Sequence, residues 1–172
     1  YTLSLHDALP ILLGPVVDMK TVTRCNALIE DALAKGARLL AGGLSDSTQM
    51  RATLLDGVTR EMRIWHEESF GPVKSIIRVK DEAEALAVAN ESEYGLSSAI
   101  YSRDSARAWN LAQNLQTGIC HINGPTVHDE AQMPFGGCKS SGYGRFGGRA
   151  GIAEFTELRW VTLQTVPREL PF

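Results

Sequence analysis

Side chains that could perform chemistry are concentrated in one stretch, His121–Arg149 (HINGPTVHDEAQMPFGGCKSSGYGRFGGR). Within it, His128–Glu130 contains a His-x-Glu pair of the kind found in zinc deaminases, which complete their zinc site with a downstream Pro-Cys-x-x-Cys. Here only Cys138 follows Pro134, and adjacent residues converge poorly on one ion. We therefore expect no metal site in this stretch.

The glycine-rich end of this stretch, GYGRFGGR, permits two other interpretations. It resembles an RGG-type nucleic-acid segment, but such segments occur as repeats in basic chains, whereas this motif is single and the chain has a net charge of −3. Gly142, Gly144 and Gly147 also satisfy a GxGxxG spacing. They neither follow directly on a predicted strand nor open a βαβ unit, so the dinucleotide-fingerprint interpretation fails in context.

The three cysteines are candidates for a nucleophile or a disulfide, and the sequence favours neither. Their number is odd and no CxxC spacing occurs, which indicates a reducing, cytoplasmic compartment. Cys25 lies on the apolar stripe of a predicted helix, Cys120 within a predicted strand and Cys138 directly after PFGG. We expect buried or incidental thiols and assign no catalytic residue in this chain.

The composition excludes several classes of protein. Of the 172 residues, 44% are hydrophobic and 22% charged, as in ordinary globular proteins. No apolar run approaches the roughly 18 residues of a membrane span. A sequence pI near 5.8 disfavours a large phosphate-binding surface. We expect neither a membrane nor a nucleic-acid partner.

Alternating strands and helices are predicted to position the chemical side chains. Apolar spacing predicts a helix over 18–35, after which Gly36 and the Gly42-Gly43 pair open a loop. A later helix is predicted from Asp81, which has capping-box spacing to Glu84, to about Asn90. The remaining predicted elements are strands at 53–58, 75–79, 97–101 and 119–123 and a helix over 105–115.

The order strand, helix, strand, helix, strand from residue 75 onwards favours an α/β fold with parallel strands and right-handed crossovers. Open parallel sheets place their sites beyond the carboxyl ends of the strands. The segment 124–151 is long, glycine-rich and irregular, as functional loops often are. We therefore expect the site in this segment.

The two ends of the chain carry separate predictions. Arg159–Val166 (RWVTLQTV) is predicted to be an isolated strand, which pairs either with another subunit, as an oligomerisation device, or at the edge of the same sheet. Tyr1–Ile11 (YTLSLHDALPI) resembles a translated sequencing-library adapter joined to an open reading frame. We expect this origin rather than a short native strand turning at Pro10, and we expect native sequence before Leu12 to be missing.

Three segments, taken in order, resemble the C-terminal portion of the aldehyde dehydrogenase superfamily: EESFGP at Glu67–Pro72, the stretch from Asn123 through PFGG and SGYGR, and FTELRWVT. The resemblance runs from about Leu13 to Val166. HINGPTVHDEAQMPFGG followed by GRFGG is most similar to the vanillin, salicylaldehyde and benzaldehyde dehydrogenases. It implies the C-terminal part of an α/β catalytic domain over 12–156, with an open and mainly parallel sheet and flanking helices, and an oligomerisation strand and tail over 157–172.

The resemblance also implies an activity for the parent protein. An aldehyde would be oxidised to its carboxylic acid with NAD or NADP, through a cysteine thiohemiacetal and a thioester, in a homo-oligomer. The family's nucleophilic cysteine, base glutamate, oxyanion asparagine and cofactor-binding glycine turn lie upstream of the segment that matches Leu13. We therefore expect this chain to be inactive alone. The alternative is a non-catalytic module that contributes a substrate wall and an oligomer interface.

Site residues follow from the resemblance, position by position. Glu68 would accept hydrogen bonds from the nicotinamide-ribose hydroxyls, and Phe70 would pack beside the nicotinamide ring. Asn123 would hold the loop beneath the active site. The residues that would wall the aldehyde pocket are Val127, His128 and Phe135.

One position departs from the family pattern. Many members have a glutamate after the arginine of the GxGR motif, whereas Phe146 follows Arg145 here. The aromatic-aldehyde branch shares this change. We therefore expect no second acid at that position.

Overall fold

The computed structural model describes residues 13–169 and divides the chain into two compact units, one extending to Glu82 and one beginning at Ala83. Helices and strands alternate in both units, which confirms the predicted α/β class. None of the described helices is long and apolar enough to cross a bilayer. The elements of the first unit are α1 (Met19–Ala34), β1 (Arg38–Ala41), β2 (Thr53–Asp56), α2 (Arg63–His66) and β3 (Val73–Ile76).

Helix α1 confirms the helix predicted over 18–35. The Asp18 side chain caps its first turn by accepting the backbone N–H of Thr21 at 2.8 Å, which satisfies one of the unpaired amides at the helix start. The helix ends before Gly36, whose φ of +97° is accessible to glycine at little cost. Its buried face contributes Val22, Cys25, Leu28, Ile29 and Ala32 to the core of the unit.

The sheet of the first unit has the order β1-β2-β3. Strand β2 pairs antiparallel with β1 and parallel with β3. The strand predicted at 75–79 begins two residues earlier, at Val73. Strand β1 was not predicted, because all four of its residues are exposed and the alternation that marks a half-buried strand is missing.

A buried carboxylate joins the strands of this sheet. Asp56 on β2 is 1% exposed and accepts two hydrogen bonds from Arg78, at 3.0 and 2.8 Å, and one from Arg38 on β1. The hydrogen bonds from Arg78 and then Arg38 lower the pKa of Asp56 from 3.8 to about 2. The folded first unit therefore favours the ionised carboxylate.

The Asp56→Asn variant is expected to lose part of the acid sensitivity of folding. Because the pKa of Asp56 is lowered on folding, its ionisation stabilises the native state fully above the ordinary value of 3.8, and this contribution is lost as the pH falls towards about 2. Denaturant midpoints measured by circular dichroism between about pH 6 and pH 3 should fall less steeply in the variant than in the parent chain. Asp46→Asn, at an exposed aspartate, is the control. Equal steepness in all three proteins would contradict the expectation.

The second unit is built around a parallel strand pair. Its elements are α3 (Glu82–Glu91, which begins at the unit boundary), β4 (Tyr94–Gly95), β5 (Ser97–Ile100), α4 (Ser105–Ala112), β6 (Ile119–Ile122), β7 (Cys138–Lys139) and α5 (Gly148–Glu154). Strands β5 and β6 pair in parallel, as the intervening helix predicted. Helix α4 begins after Asp104, whose side chain accepts the backbone N–H of Arg107 at 3.0 Å, and it ends three residues before the predicted limit.

A second, shorter ladder joins distant parts of this unit. Strand β4 pairs antiparallel with β7, and neither strand was predicted. Only two residues of each strand pair, which is too few to produce a periodic pattern in the sequence. The ladder attaches the glycine-rich segment to the chain just before β5.

The predicted C-terminal strand is not present in the described chain. Residues 155–169 contain no helix or strand, and the edge-strand alternative is therefore not found. The side chains of Leu158, Trp160 and Leu163 are almost fully exposed. A strand needs a ladder partner, and no described residue supplies one, so pairing with another subunit stays a prediction. The adapter interpretation of Tyr1–Ile11 concerns residues outside the described range.

Candidate functional site

The EESFGP turn between α2 and β3 presents two of the predicted site residues to solvent. Glu68 is exposed, and the Phe70 side chain is 76% exposed. The backbone of Phe70 has a φ of +42°, a conformation that is costly for a bulky residue. Such a conformation persists only where the surroundings hold it, and it is common at binding sites.

Helix α1 supplies the groups that hold this turn. The Arg24 guanidinium donates from Nε to the carbonyl of Ser69 at 3.0 Å and from Nη2 to that of Phe70 at 3.5 Å. Gly71 lies against the same helix, since a Cβ there would come within 2.4 Å of Cys25 Sγ. Arg24 was not predicted from the sequence, because no local pattern links it to a turn 45 residues away.

Two of the three cysteines, Cys25 and Cys138, occupy packing positions. Burial raises the pKa of the Cys25 thiol, against a smaller opposing effect of the Arg24 charge, and its Sγ lies 3.6 Å from the Ser69 carbonyl. The Cys138 Sγ contacts the carbonyl of Gln116 at 3.1 Å. Because a nucleophilic cysteine needs an accessible, stabilised thiolate, the environment of Cys25 in particular disfavours that role.

A cavity of about 430 Å³ lies between β6 and the loop that follows it. Two of the three predicted wall residues, His128 and Phe135, line it, together with Met133 and Pro134. The third, Val127, does not belong to the lining, and its side chain is 90% exposed. A role for Val127 as a wall residue therefore stays a prediction.

Two histidines meet at the cavity. The rings of His121, on β6, and His128 are 5.6 Å apart in an edge-to-face arrangement. His128 Nε2 lies 3.4 Å from Glu130 Oε1. His121 Nε2 is buried and has no hydrogen-bond partner among the described residues. His121 was not predicted as a site residue, although a histidine within the otherwise apolar strand ICHI was a visible signal.

The GYGRF segment closes the loop behind Phe135. The backbones of Phe135 and Phe146 exchange two hydrogen bonds, at 2.9 and 2.7 Å. The Arg145 guanidinium donates to the carbonyls of Gly137 and Gly144, both at 2.7 Å. Gly144–Phe146 therefore fixes the backbone of a cavity wall. The Phe146 side chain is 67% exposed.

The Asn123 side chain joins the end of β6 to the chain just after β5. Its backbone has a φ of +58°, which asparagine tolerates better than most residues. Its Oδ1 accepts the backbone N–H of Ser102 at 2.8 Å, and its Nδ2 donates to the Ser102 carbonyl at 2.9 Å. The two hydrogen bonds join the carboxyl ends of β5 and β6.

Comparison with known proteins assigns the family. The profile of the aldehyde dehydrogenase family matches residues 5–161, and the chain belongs to this family. It is 61% identical to vanillin dehydrogenase of Pseudomonas fluorescens over 160 residues, which cover 93% of this chain and 33% of that protein. It is 42% identical to benzaldehyde dehydrogenase (NAD+) of Pseudomonas putida, with coverages of 93% and 33%.

The fold comparison agrees with the sequence comparison. The crystal structure of a salicylaldehyde dehydrogenase from Pseudomonas putida G7, complexed with salicylaldehyde, superposes with a TM-score of 0.86 at 48% identity, covering 94% of this chain and 33% of that one. These proteins confirm the predicted similarity to the aromatic-aldehyde branch. The chain spans about a third of the length of the relatives that it matches and is thus a partial domain of this fold.

Proposed function

We propose that the chain is the C-terminal third of an NAD(P)-dependent dehydrogenase that oxidises an aromatic aldehyde to its carboxylic acid. The observation that carries this proposal is the cavity of about 430 Å³, whose apolar part is formed by Met133, Pro134 and Phe135 and whose lining also includes Asp129 and Glu130. Its volume lies in the range of small-molecule sites, and an apolar wall with an aromatic member suits a substrate ring. The similarity to vanillin and benzaldehyde dehydrogenases supports the same substrate class.

The EESFGP turn is proposed as the part of the cofactor site that this chain contributes. The exposed Glu68 carboxylate can accept two hydroxyl donors at once, as a ribose diol requires, and the exposed Phe70 ring offers a face for the nicotinamide. Arg24 holds the backbone of this turn through the carbonyls of Ser69 and Phe70. Glu68 and Phe70 would hold a nicotinamide cofactor, which would supply the acceptor for the hydride of the aldehyde.

The remaining chemistry is proposed to belong to other parts of the parent protein. There, a cysteine thiolate attacks the aldehyde carbonyl to form a thiohemiacetal, and a glutamate activates the water that hydrolyses the resulting thioester. In this chain, His128 and Phe135 wall the aldehyde. Asn123 holds the ends of β5 and β6 together beneath them through Ser102. The protein is proposed to act in the cytoplasm.

A second candidate function concerns the chain by itself. It would be a non-catalytic module that contributes a substrate wall and an oligomer contact. The observation that favours it is the exposure of Leu158, Trp160 and Leu163, apolar side chains that would be covered if 157–172 paired with another subunit. In both cases we propose that 12–156 belongs to the catalytic domain and that Tyr1–Ile11 derives from an adapter.

The Glu68→Gln variant tests the proposed function. The source DNA is read upstream of Leu12, the complete frame is expressed, and reduced cofactor is measured by absorbance with benzaldehyde as substrate. The unmutated full-length protein should reduce the cofactor. Glu68→Gln should lower kcat/KM for the cofactor by about tenfold or more, because the amide keeps only one acceptor oxygen and that oxygen carries no charge. The KM for the aldehyde should stay unchanged.

The neighbouring glutamate provides a matched control. Glu67 is bound to Arg63 through two hydrogen bonds, at 2.7 and 2.8 Å, so Glu67→Gln should leave the cofactor constants within about twofold of the parent. A full-length protein that oxidises no aromatic aldehyde would refute the proposed activity. Equal effects of the two variants would refute the assignment of Glu68.

A further inference from the structure

We infer that Glu154, on helix α5, is a positioning residue for the aldehyde cavity, and that its carboxylate fixes the place of Phe135 in the cavity wall. The inference rests on the proposed function, which assigns an aromatic aldehyde to this cavity. Glu154 is not among the residues that line the cavity. It acts through the backbone of the GYGRF segment.

The Glu154 side chain packs on the backbone of the GYGRF segment. Its Oε1 accepts the backbone N–H of Arg145 at 3.2 Å, and a hydrogen bond to a carboxylate is stronger than one between neutral groups. A Cβ on Gly144, whose φ is +74°, would lie 3.1 to 3.3 Å from the three atoms of the same carboxyl group. The carboxylate therefore contacts two consecutive residues of the segment.

The place of Glu154 on its own helix does not explain a glutamate there. Glu154 is the last residue of α5, and the carbonyl groups at a helix C-terminus carry partial negative charge, so an anion there destabilises the last turn. The last turn of α5 contains no basic residue that would offset this effect. The contact with the GYGRF segment supplies the compensation that the helix does not.

The GYGRF segment transmits this contact to Phe135. A Cβ on Gly136 would lie 2.5 Å from the Gly144 carbonyl oxygen, so the two backbones touch directly. The Arg145 guanidinium bridges them through carbonyls on both sides, and Phe146 exchanges two backbone hydrogen bonds with Phe135. Because closely packed segments transmit displacements to one another, a shift of Arg145 moves Phe135 at the cavity.

The test measures steady-state kinetics of the full-length protein with benzaldehyde and with acetaldehyde, which has no ring to pack on Phe135. Glu154→Ala should raise KM for benzaldehyde by about fivefold, because the Arg145 N–H loses its acceptor and the wall is displaced. The kcat, the KM for acetaldehyde and the KM for the cofactor should stay within about twofold of the parent. A purely structural role would not separate these constants.

Two further variants distinguish the length of the Glu154 side chain from its charge. Glu154→Gln keeps the length and one acceptor oxygen, so KM for benzaldehyde should stay within about twofold of the parent. Glu154→Asp keeps the charge but is one methylene group shorter, so it should resemble the alanine variant. Thermal midpoints report folding. If Glu154→Ala does not fold, the comparison of the Gln and Asp variants decides the question.

Arg149→Ala is the matched control on the same helix. Arg149 is exposed, and an exposed substitution of this kind should leave KM for both aldehydes within about twofold of the parent. This control separates a specific effect of the Glu154 carboxylate from a general effect of changing a charged side chain on α5.

The outcomes separate the inference from the proposed function. A full-length protein that oxidises no aromatic aldehyde refutes the proposed function and the inference with it. A protein that oxidises benzaldehyde, with the same KM in the parent and in the Ala and Asp variants of Glu154, refutes the role of Glu154 alone. Equal changes in every KM also refute it. A KM raised for benzaldehyde only, with recovery in Glu154→Gln, supports it.

Discussion

The purified chain is expected to form no NADH or NADPH from any aldehyde. Removing the nucleophile of a covalent enzyme typically costs on the order of a millionfold in rate, and none of the three thiols replaces it. Cys25 is buried beneath the EESFGP turn with a raised thiol pKa, and Cys138 Sγ is engaged with the Gln116 carbonyl. The measurement is absorbance of the reduced cofactor with benzaldehyde, with the full-length protein as positive control.

Cysteine variants make this expectation sharper. Cys120 lines the cavity, so it is the thiol to which any residual reaction would be traced first. Cofactor reduction by the chain alone that disappears in Cys120→Ser, and persists in Cys25→Ser, would overturn the assignment of no catalytic residue. A rate equal to that without protein, in the chain and in both variants, agrees with it.

The Gly118→Ala variant is expected to disrupt the folding of the second unit. A Cβ at this position, just before β6, would lie 1.8 Å from the Gly136 carbonyl oxygen and 2.9 Å from the Gly137 Cα. Both atoms belong to backbone, so no side-chain rotation relieves the clash. The free energy of unfolding should fall by about 3 kcal/mol, and the PFGG loop that carries Phe135 should move away from the cavity.

Gly124→Ala, beyond the other end of the same strand, is the matched control. The nearest atom to a Cβ there is the Cβ of His121 at 3.6 Å, an ordinary contact, so the change in unfolding free energy should stay within about 0.5 kcal/mol. Denaturant unfolding by circular dichroism measures both variants. Equal stability of Gly118→Ala and Gly124→Ala would show that the close approach of the two backbones is not required.

The sequence alone predicted the elements whose stability is local. Apolar spacing located α1, and the alternation of helix and strand located β5 and β6 with their parallel pairing. The ordered motifs EESFGP, PFGG and SGYGR placed the chain in its family. Patterns of this kind are readable because each residue responds to neighbours within one or two turns or along one strand.

Only the tertiary structure decided how distant segments meet. Arg24 reaches a turn 45 residues away, and Asp56 draws together two arginines from different parts of the first unit. His121 is left with a buried, unpaired nitrogen. The segment 159–166 has the residue pattern of a strand but forms none among the described residues. These features depend on which backbone and side-chain groups the folded chain brings within hydrogen-bonding distance. Hydrogen bonds between residues far apart in the chain leave no periodic pattern in the sequence.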